Sequence, residues 1–283
     1  MPEQRRTRAA HVATVLRTEK LSTSLVRVVL GRPGLEQFSV PEFADSYVKV
    51  VFVDPAVQRP FPRTADGRVE IDALHDDPAH APRMRSCTVR DFDPASRELT
   101  LDFVVHGDAG LAGPWAAAAD AGAEVLLMGP GGAWSPDPHA GFHLLAGDLS
   151  ALPAIAASLS CLPASASGAV FVEVPDSSDE VPLDAPSGVD VTWVHQGDER
   201  PGSPLVDAVR ALPWPGGDVQ AFVHGEAGAV KALRRYLRNE RGLPLARLSA
   251  SGYWRLGLDD EGWRASKKEW KAEVEREEAA APR

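Results

Sequence analysis

Apolar positions in the first half of the chain alternate or run in short β-branched stretches, the pattern of half-buried and buried strands. His11–Thr18, Leu25–Leu30 and Tyr47–Val53 read as strands, with turns such as Arg32-Pro33-Gly34 between them. The stretch from Asp54 to Pro82 is rich in proline, aspartate and histidine and predicts a long loop with a short strand near Val69–Ile71. Strands resume at Met84–Asp91, Glu98–Val105 and Glu124–Met128, with a short helix from Pro114-Trp115 to Ala121 before the last. Many short antiparallel strands with one helix predict a closed barrel.

After Pro136-Asp137-Pro138 the rhythm changes. Strands at Phe142–Ala146, Ala169–Val174, Val189–Val194, Val219–Val223 and Ala246–Ala250 alternate with helices at Ala151–Leu159, Ser203–Ala211 and Ala227–Glu240. That alternation predicts a parallel sheet with helices on its faces. The expected domains are therefore 1–136, a β-barrel, and 137–283, an α/β unit closed by a docked helix from Glu261 to about Glu277, with the final AAAPR frayed.

The 283 residues suffice for two cores. A net charge of −10 argues against nucleic acid as a partner, so an anionic ligand needs a local basic pocket. Cys87 and Cys161 have no CxxC spacing, which argues against a cysteine-built metal site or a disulfide framework. The start MPEQRRTRAA lacks an apolar signal core and no apolar run reaches membrane-spanning length, so a cytoplasmic protein without membrane insertion is expected. The acids near Asp76 and at Asp259-Asp260-Glu261 read as solvated loops; no metal site and no acid–base or nucleophilic catalytic set stands out.

The chemistry-bearing pieces occur in order. Arg85-Ser86-Cys87-Thr88-Val89-Arg90 puts an arginine where a phosphate can sit and a hydroxyl three residues on where a flavin edge can meet it, on opposite faces by parity, so the two serve one ligand only if the strand ends or bends there; alone, the run reads as an edge strand with solvated arginines. His106 reads either as a donor to phosphate or ribose or as a loop histidine without a task. Gly110-Leu111-Ala112-Gly113-Pro114-Trp115 has little bulk where backbone must come close, and opens a helix with free N–H groups. Gly129-Pro130-Gly131-Gly132 is a turn or a cleft wall. Gly147-Asp148-Leu149-Ser150 and Val223-His224-Gly225-Glu226 each leave a strand and open a helix, where parallel sheets bind nucleotides, though neither is a GxGxxG. The aromatics of Gly252-Tyr253-Trp254-Arg255 suit covering a flavin or nicotinamide face, or capping the core.

With these residues in place, the chain resembles the siderophore-interacting proteins, FAD-dependent ferric-siderophore reductases of the ferredoxin–NADP reductase superfamily. The resemblance runs from Val48-Lys49 to Gly252-Tyr253-Trp254-Arg255. It implies an FAD-binding barrel followed by an α/β nucleotide-binding domain. It sets FAD on the run containing Arg85, Cys87, Thr88 and Val89, with Arg85 at the phosphates and Thr88 at the flavin N5/O4 edge. Val104, His106, Gly110, Ala112, Gly113 and Trp115 would meet the ribose, pyrophosphate and adenine. Gly147, Asp148 and Ser150, helped by Gly225 and Glu226, would meet NADH or NADPH. The implied substrate is a ferric siderophore, often anionic, for which Lys49 is the first orienting candidate, with Lys267 and Lys268 behind it.

Three departures stand out. Cys87 replaces the family's tyrosine, so one flavin face is expected to lose its stacking ring. Gly110-Leu111-Ala112 replaces Gly-Pro-Ala, and Gly147-Asp148-Leu149-Ser150 replaces Gly-Asp-Glu-Thr. A ferredoxin-fed flavin reductase, a non-catalytic ferric-chelate carrier and a flavoprotein acting on an organic substrate are the alternatives to a nicotinamide-fed reductase.

Overall fold

The computed structural model describes residues 8–75, 77 and 80–280. Asp76 and the extreme termini, on which some of the readings above fall, lie outside them. The chain forms two compact units, one of residues up to Lys20 with Val26–Ala133, the other of Leu21–Leu25 with Trp134 onward.

The first unit is an antiparallel barrel. β1 (Ala9–Lys20), β2 (Leu25–Gly31), β3 (Tyr47–Phe52), β5 (Arg83–Asp93), β6 (Glu98–Val104) and β7 (Glu124–Gly131) close in the order β1-β2-β6-β5-β3-β7-β1, and the short β4 (Val69–Glu70) adds to β1. Alternation along each strand sends Val28, Leu30, Val48, Val50, Leu99, Leu101 and Leu127 inward to a dry core. α1 (Ala112–Ala117) lays Trp115 edge-on against Phe52 and Phe103, with ring centroids 6.0 and 5.5 Å apart. The long excursion after β3 is not structureless: Val69, Ile71 and Leu74 pack on the outward side chains Val51, Met84 and Leu126. Farther along the same outer face, the excursion stops and Tyr47 and Ser86 are exposed.

The second unit is a five-stranded parallel sheet, β10-β9-β8-β11-β12, from β8 (Phe142–Asp148), β9 (Ser167–Val174), β10 (Gly188–His195), β11 (Val219–Glu226) and β12 (Leu248–Trp254). The order reverses between β8 and β11, the place where open α/β sheets form a crevice. α2 (Leu152–Cys161), α3 (Ser203–Ala211) and α4 (Ala227–Arg235) connect the strands. α5 (Asp260–Ala280) docks through buried Trp263, Trp270 and Val274, and Lys231 of α4 pairs with Glu273 and Glu277 at 2.6 and 2.8 Å. The tip between β1 and β2 groups with this unit because buried Asp179 accepts from Ser22 Oγ (2.7 Å), Ser24 N (2.6 Å) and Ser24 Oγ (3.0 Å).

Candidate functional site

The β3–β5 register sorts the Arg85–Arg90 run by face. Tyr47 pairs with Thr88, Val48 with Cys87, Lys49 with Ser86 and Val50 with Arg85. Tyr47, Lys49, Ser86 and Thr88 therefore share the outer face, while Cys87 and Val89 join Val48 and Val50 in the barrel core, and Arg85, the partner of Val50, starts on that inner side, opposite Thr88. Cys87 is 9% exposed. Thr88 is turned to the outer face but is itself buried, at 8% exposed; of the four outer-face residues Tyr47 and Ser86 are exposed and Lys49 is half-buried.

Arg85 is half-buried, near the end of β5 where the barrel is closed by α1, and its Nη1 donates to the Met84 carbonyl at 3.1 Å. β5 pairs with β6 from Val89 with Leu101 to Asp93 with Glu98, and β6 ends at Val104, two residues before His106. α1 begins against the same stretch: a Cβ on Gly113 would stand 2.8 Å from the Val104 carbonyl oxygen, so only glycine lets the helix start this close. Gly107 and Gly110, with φ of 60° and 81°, take the chain between them, and a Cβ on either would meet nothing within 4 Å. Val104, His106, Gly110, Ala112 and Gly113 are thus brought to one end of the barrel, and Arg85 is two residues along β5 from Arg83, the partner of the Phe52 that packs on Trp115. Trp115 turns into that end and seals it. A guanidinium, an open glycine loop and a helix start, with the buried Thr88 hydroxyl farther along the Arg85 strand, form a donor set that fits a flavin dinucleotide.

The edge of the parallel sheet is built differently. Asp148 is half-buried, with its carboxylate enclosed by four donors: Oδ1 accepts from Ser150 N (2.9 Å) and Ser150 Oγ (2.5 Å), and Oδ2 from Glu226 N and Trp254 Nε1, both 2.8 Å. Glu173 accepts from Gly202 N (2.6 Å) and Leu205 N (3.0 Å) at the start of α3. Glu226 caps α4 through Ala229 N (2.9 Å) and holds Leu256 N (3.2 Å). Burial pushes the Asp148 carboxyl up, and burial with the neighbouring Asp148 and Glu226 charges pushes Glu173 up.

Gly147 and Gly225 are small for internal reasons. A Cβ on Gly147 would meet Ala151 Cβ at 2.5 Å and the His224 carbonyl at 2.6 Å, and one on Gly225 would meet the Asp148 carboxylate at 2.5 Å. So Gly147, Asp148, Ser150, Gly225 and Glu226 do come together, around the Asp148 carboxylate.

Sequence reasoning missed His224, Glu173 and Tyr47 as site-forming residues. His224 is 4% exposed, stacked on Phe222 at 3.7 Å with its Nε2 2.9 Å from Ser249 Oγ, and burial takes its pKa down to about 3. Lys49 is half-buried on the outer face of the barrel. On α5, Lys267 lies over the Trp263 ring at 5.7 Å with its pKa lowered by burial, and Lys268 is exposed. Among the described residues, no group of three His, Cys, Asp or Glu side chains is placed to hold a metal, and no helix is long and apolar enough to cross a membrane.

Residues 14–134 match the model of the siderophore-interacting FAD-binding domain, and residues 140–257 match that of the siderophore-interacting protein. The chain belongs to the siderophore-interacting protein family. The ferric vibriobactin reductase of Vibrio cholerae is 36% identical over 258 residues, 88% of this chain and 90% of that one. The NADPH-dependent ferric-chelate reductase of Escherichia coli is 29% identical over 246 residues, 85% of this chain and 91% of that one. The crystal structure of a siderophore-interacting protein from Aeromonas hydrophila superposes with a TM-score of 0.78 at 30% identity, covering 94% of this chain and 99% of that one. The fold, a barrel followed by a parallel sheet, is also that of the flavohem-like FAD/NAD-binding domain of a Vibrio cholerae nitric oxide dioxygenase, at 14% identity and a TM-score of 0.63. Siderophore-interacting proteins of this kind carry an FAD-binding domain, and relatives of this chain are ferric reductases.

Proposed function

We propose that this protein is an FAD-dependent ferric-siderophore reductase that takes electrons from a reduced nicotinamide nucleotide and releases Fe(II) from the chelate. The observation that carries the reading is the outer face of the barrel, where Tyr47 and Ser86 are exposed beside half-buried Lys49 and buried Thr88, with Arg85 farther along the same strand as Thr88. Bound FAD supplies the passage from two-electron to one-electron chemistry that Fe(III) requires. Arg85 pairs with the pyrophosphate, helped by the N–H groups near Ala112 and Gly113. Thr88 meets the ring edge, and Lys49 attracts an anionic chelate to that wall. None of these side chains moves a proton in the reaction; their work is binding and orientation.

The nicotinamide donor rests on the parallel-sheet unit and on the E. coli relative, whose name gives NADPH. One observation favours a ferredoxin donor instead: the starts of α3 and α4 and the turn into α2 donate to Glu173, Glu226 and Asp148 of this chain, so those N–H groups are engaged before any pyrophosphate arrives. Heat release of the cofactor followed by chromatography should yield FAD; FMN, or no flavin after soaking with FAD, would refute the cofactor assignment. Anaerobic mixing of the yellow protein with NADH, NADPH and reduced ferredoxin in separate runs then decides the donor. Bleaching by a nicotinamide nucleotide supports the first reading, and bleaching by ferredoxin alone the second.

A further inference from the structure

We propose that Tyr47 provides the ring on which the flavin of this protein stacks, a role that Cys87 does not fill. The inference rests on the FAD reading above. Tyr47, the first residue of β3, is directly across from Thr88 on the outer face, two residues from Lys49, and is 39% exposed. It therefore presents an exposed aromatic surface next to Thr88, which is itself only 8% exposed.

The other side of the ring is already packed. Tyr47 pairs with Gly131 of β7, and a Cβ there would meet Tyr47 Cζ, Oη and Cε1 at 3.0 to 3.2 Å. The phenol end of the ring thus covers the bare α-carbon of a glycine, an arrangement a larger residue at 131 would displace. A planar group laid on the exposed side would complete the burial of a ring already seated on the wall.

The backbone under this ring is held before any ligand arrives. Ser46, 1% exposed, accepts the Phe43 N–H on its hydroxyl at 3.1 Å and the Val89 N–H on its carbonyl at 2.7 Å, and Asp45 accepts the Ala133 N–H at 2.8 Å. The segment leading into Tyr47 is tied to β5 on one side and to the end of β7 on the other. Little ordering cost then remains for the ring to meet on binding. Cys87, by contrast, pairs with fully buried Val48 and packs in the barrel core. A flat ligand on the outer wall meets Tyr47, not residue 87.

The test titrates flavin-stripped protein with FAD and records absorption spectra of the complexes. Tyr47→Phe should keep the wild-type dissociation constant within about 2-fold, and Tyr47→Leu should weaken it about 3- to 10-fold, the range of a lost aromatic stack. Tyr47→Trp should add a long-wavelength absorption tail, because an electron-rich indole in face contact with oxidised flavin gives a charge-transfer band; a merely structural role would not create one. Cys87→Tyr placed in the Tyr47→Leu background should not restore affinity. No tail in Tyr47→Trp with FAD bound, or affinity regained by Cys87→Tyr, would overturn the inference while leaving the FAD reading intact. Should the wild-type protein take up no FAD, the reading beneath falls and the inference falls with it. Melting curves of each stripped variant confirm that the barrel is folded.

Discussion

At the edge of the parallel sheet the carboxylates of Asp148, Glu173 and Glu226 are engaged with the chain's own N–H groups, and its two marking glycines are filled by the chain's own atoms. On the barrel, Tyr47 and Ser86 face outward uncovered, and Gly107 and Gly110 open onto empty space. Both regions carry glycine next to polar side chains, which in a sequence read alike. The difference teaches that a glycine marks close approach without saying of what: Gly225 admits Asp148 and Gly113 admits the Val104 carbonyl, whereas a Cβ on Gly107 or Gly110 would meet nothing within 4 Å.

The comparison breaks most easily at Asp148. Its removal should be chiefly a folding defect, because Asp148→Ala leaves Trp254 Nε1 and the N–H groups of Ser150 and Glu226 without their acceptor. Denaturant unfolding should show a loss of about 3–5 kcal/mol. A variant of unchanged stability that no longer accepts a nicotinamide nucleotide would instead make Asp148 a ligand-facing group and erase the contrast.

His224 sharpens the same side. The folded protein holds it neutral to about pH 3, whereas the unfolded chain protonates it near pH 6.5. Its contribution is therefore complete above pH 6.5 and is lost as pH falls toward 3, by about 2–4 kcal/mol. The raised Asp148 and Glu173 carboxyls act in the opposite sense, favouring the fold as pH falls, so the net slope is smaller than that of His224 alone. Substituting His224→Gln should flatten the acid limb of a stability–pH curve, and an unchanged limb would show that the histidine is not the group responsible.

Arg85 tests the barrel side. Arg85→Ala should weaken FAD by about 1.5–3 kcal/mol with little change in the melting temperature of the stripped protein, as expected for a lost charge-assisted hydrogen bond. The smallest effect belongs to Lys49: Lys49→Ala should raise the KM for an anionic ferric chelate by about 2- to 5-fold at low salt, with the difference shrinking as salt is added. A salt-independent change would point to packing instead.

Much of the architecture was legible in the sequence because it follows from periodicity. The strand expected at His11–Thr18 is the middle of β1, and the helix expected from Glu261 is α5. Local chemistry set other boundaries: the helix expected through Ala227–Glu240 ends as a regular α-helix at Arg235 and finishes in a wider turn over Tyr236–Glu240, and the last strand extends to Trp254. The barrel half of the site was proposed from Arg85, Thr88 and His106 because they lie close along the chain. The face that Cys87 takes is fixed by its pairing with Val48, a contact that spacing alone does not reveal. The Asp148 arrangement was hidden for the same reason: Glu226 and Trp254 lie 78 and 106 residues away.

The most direct test of the whole account is anaerobic rapid mixing of the fully reduced holoprotein with a ferric catecholate chelate in the presence of a ferrous trap. The flavin absorption should return as the trapped Fe(II) appears, with two Fe(II) formed for each flavin reoxidised. Flavin that stays reduced while the chelate remains ferric would contradict a ferric-siderophore reductase.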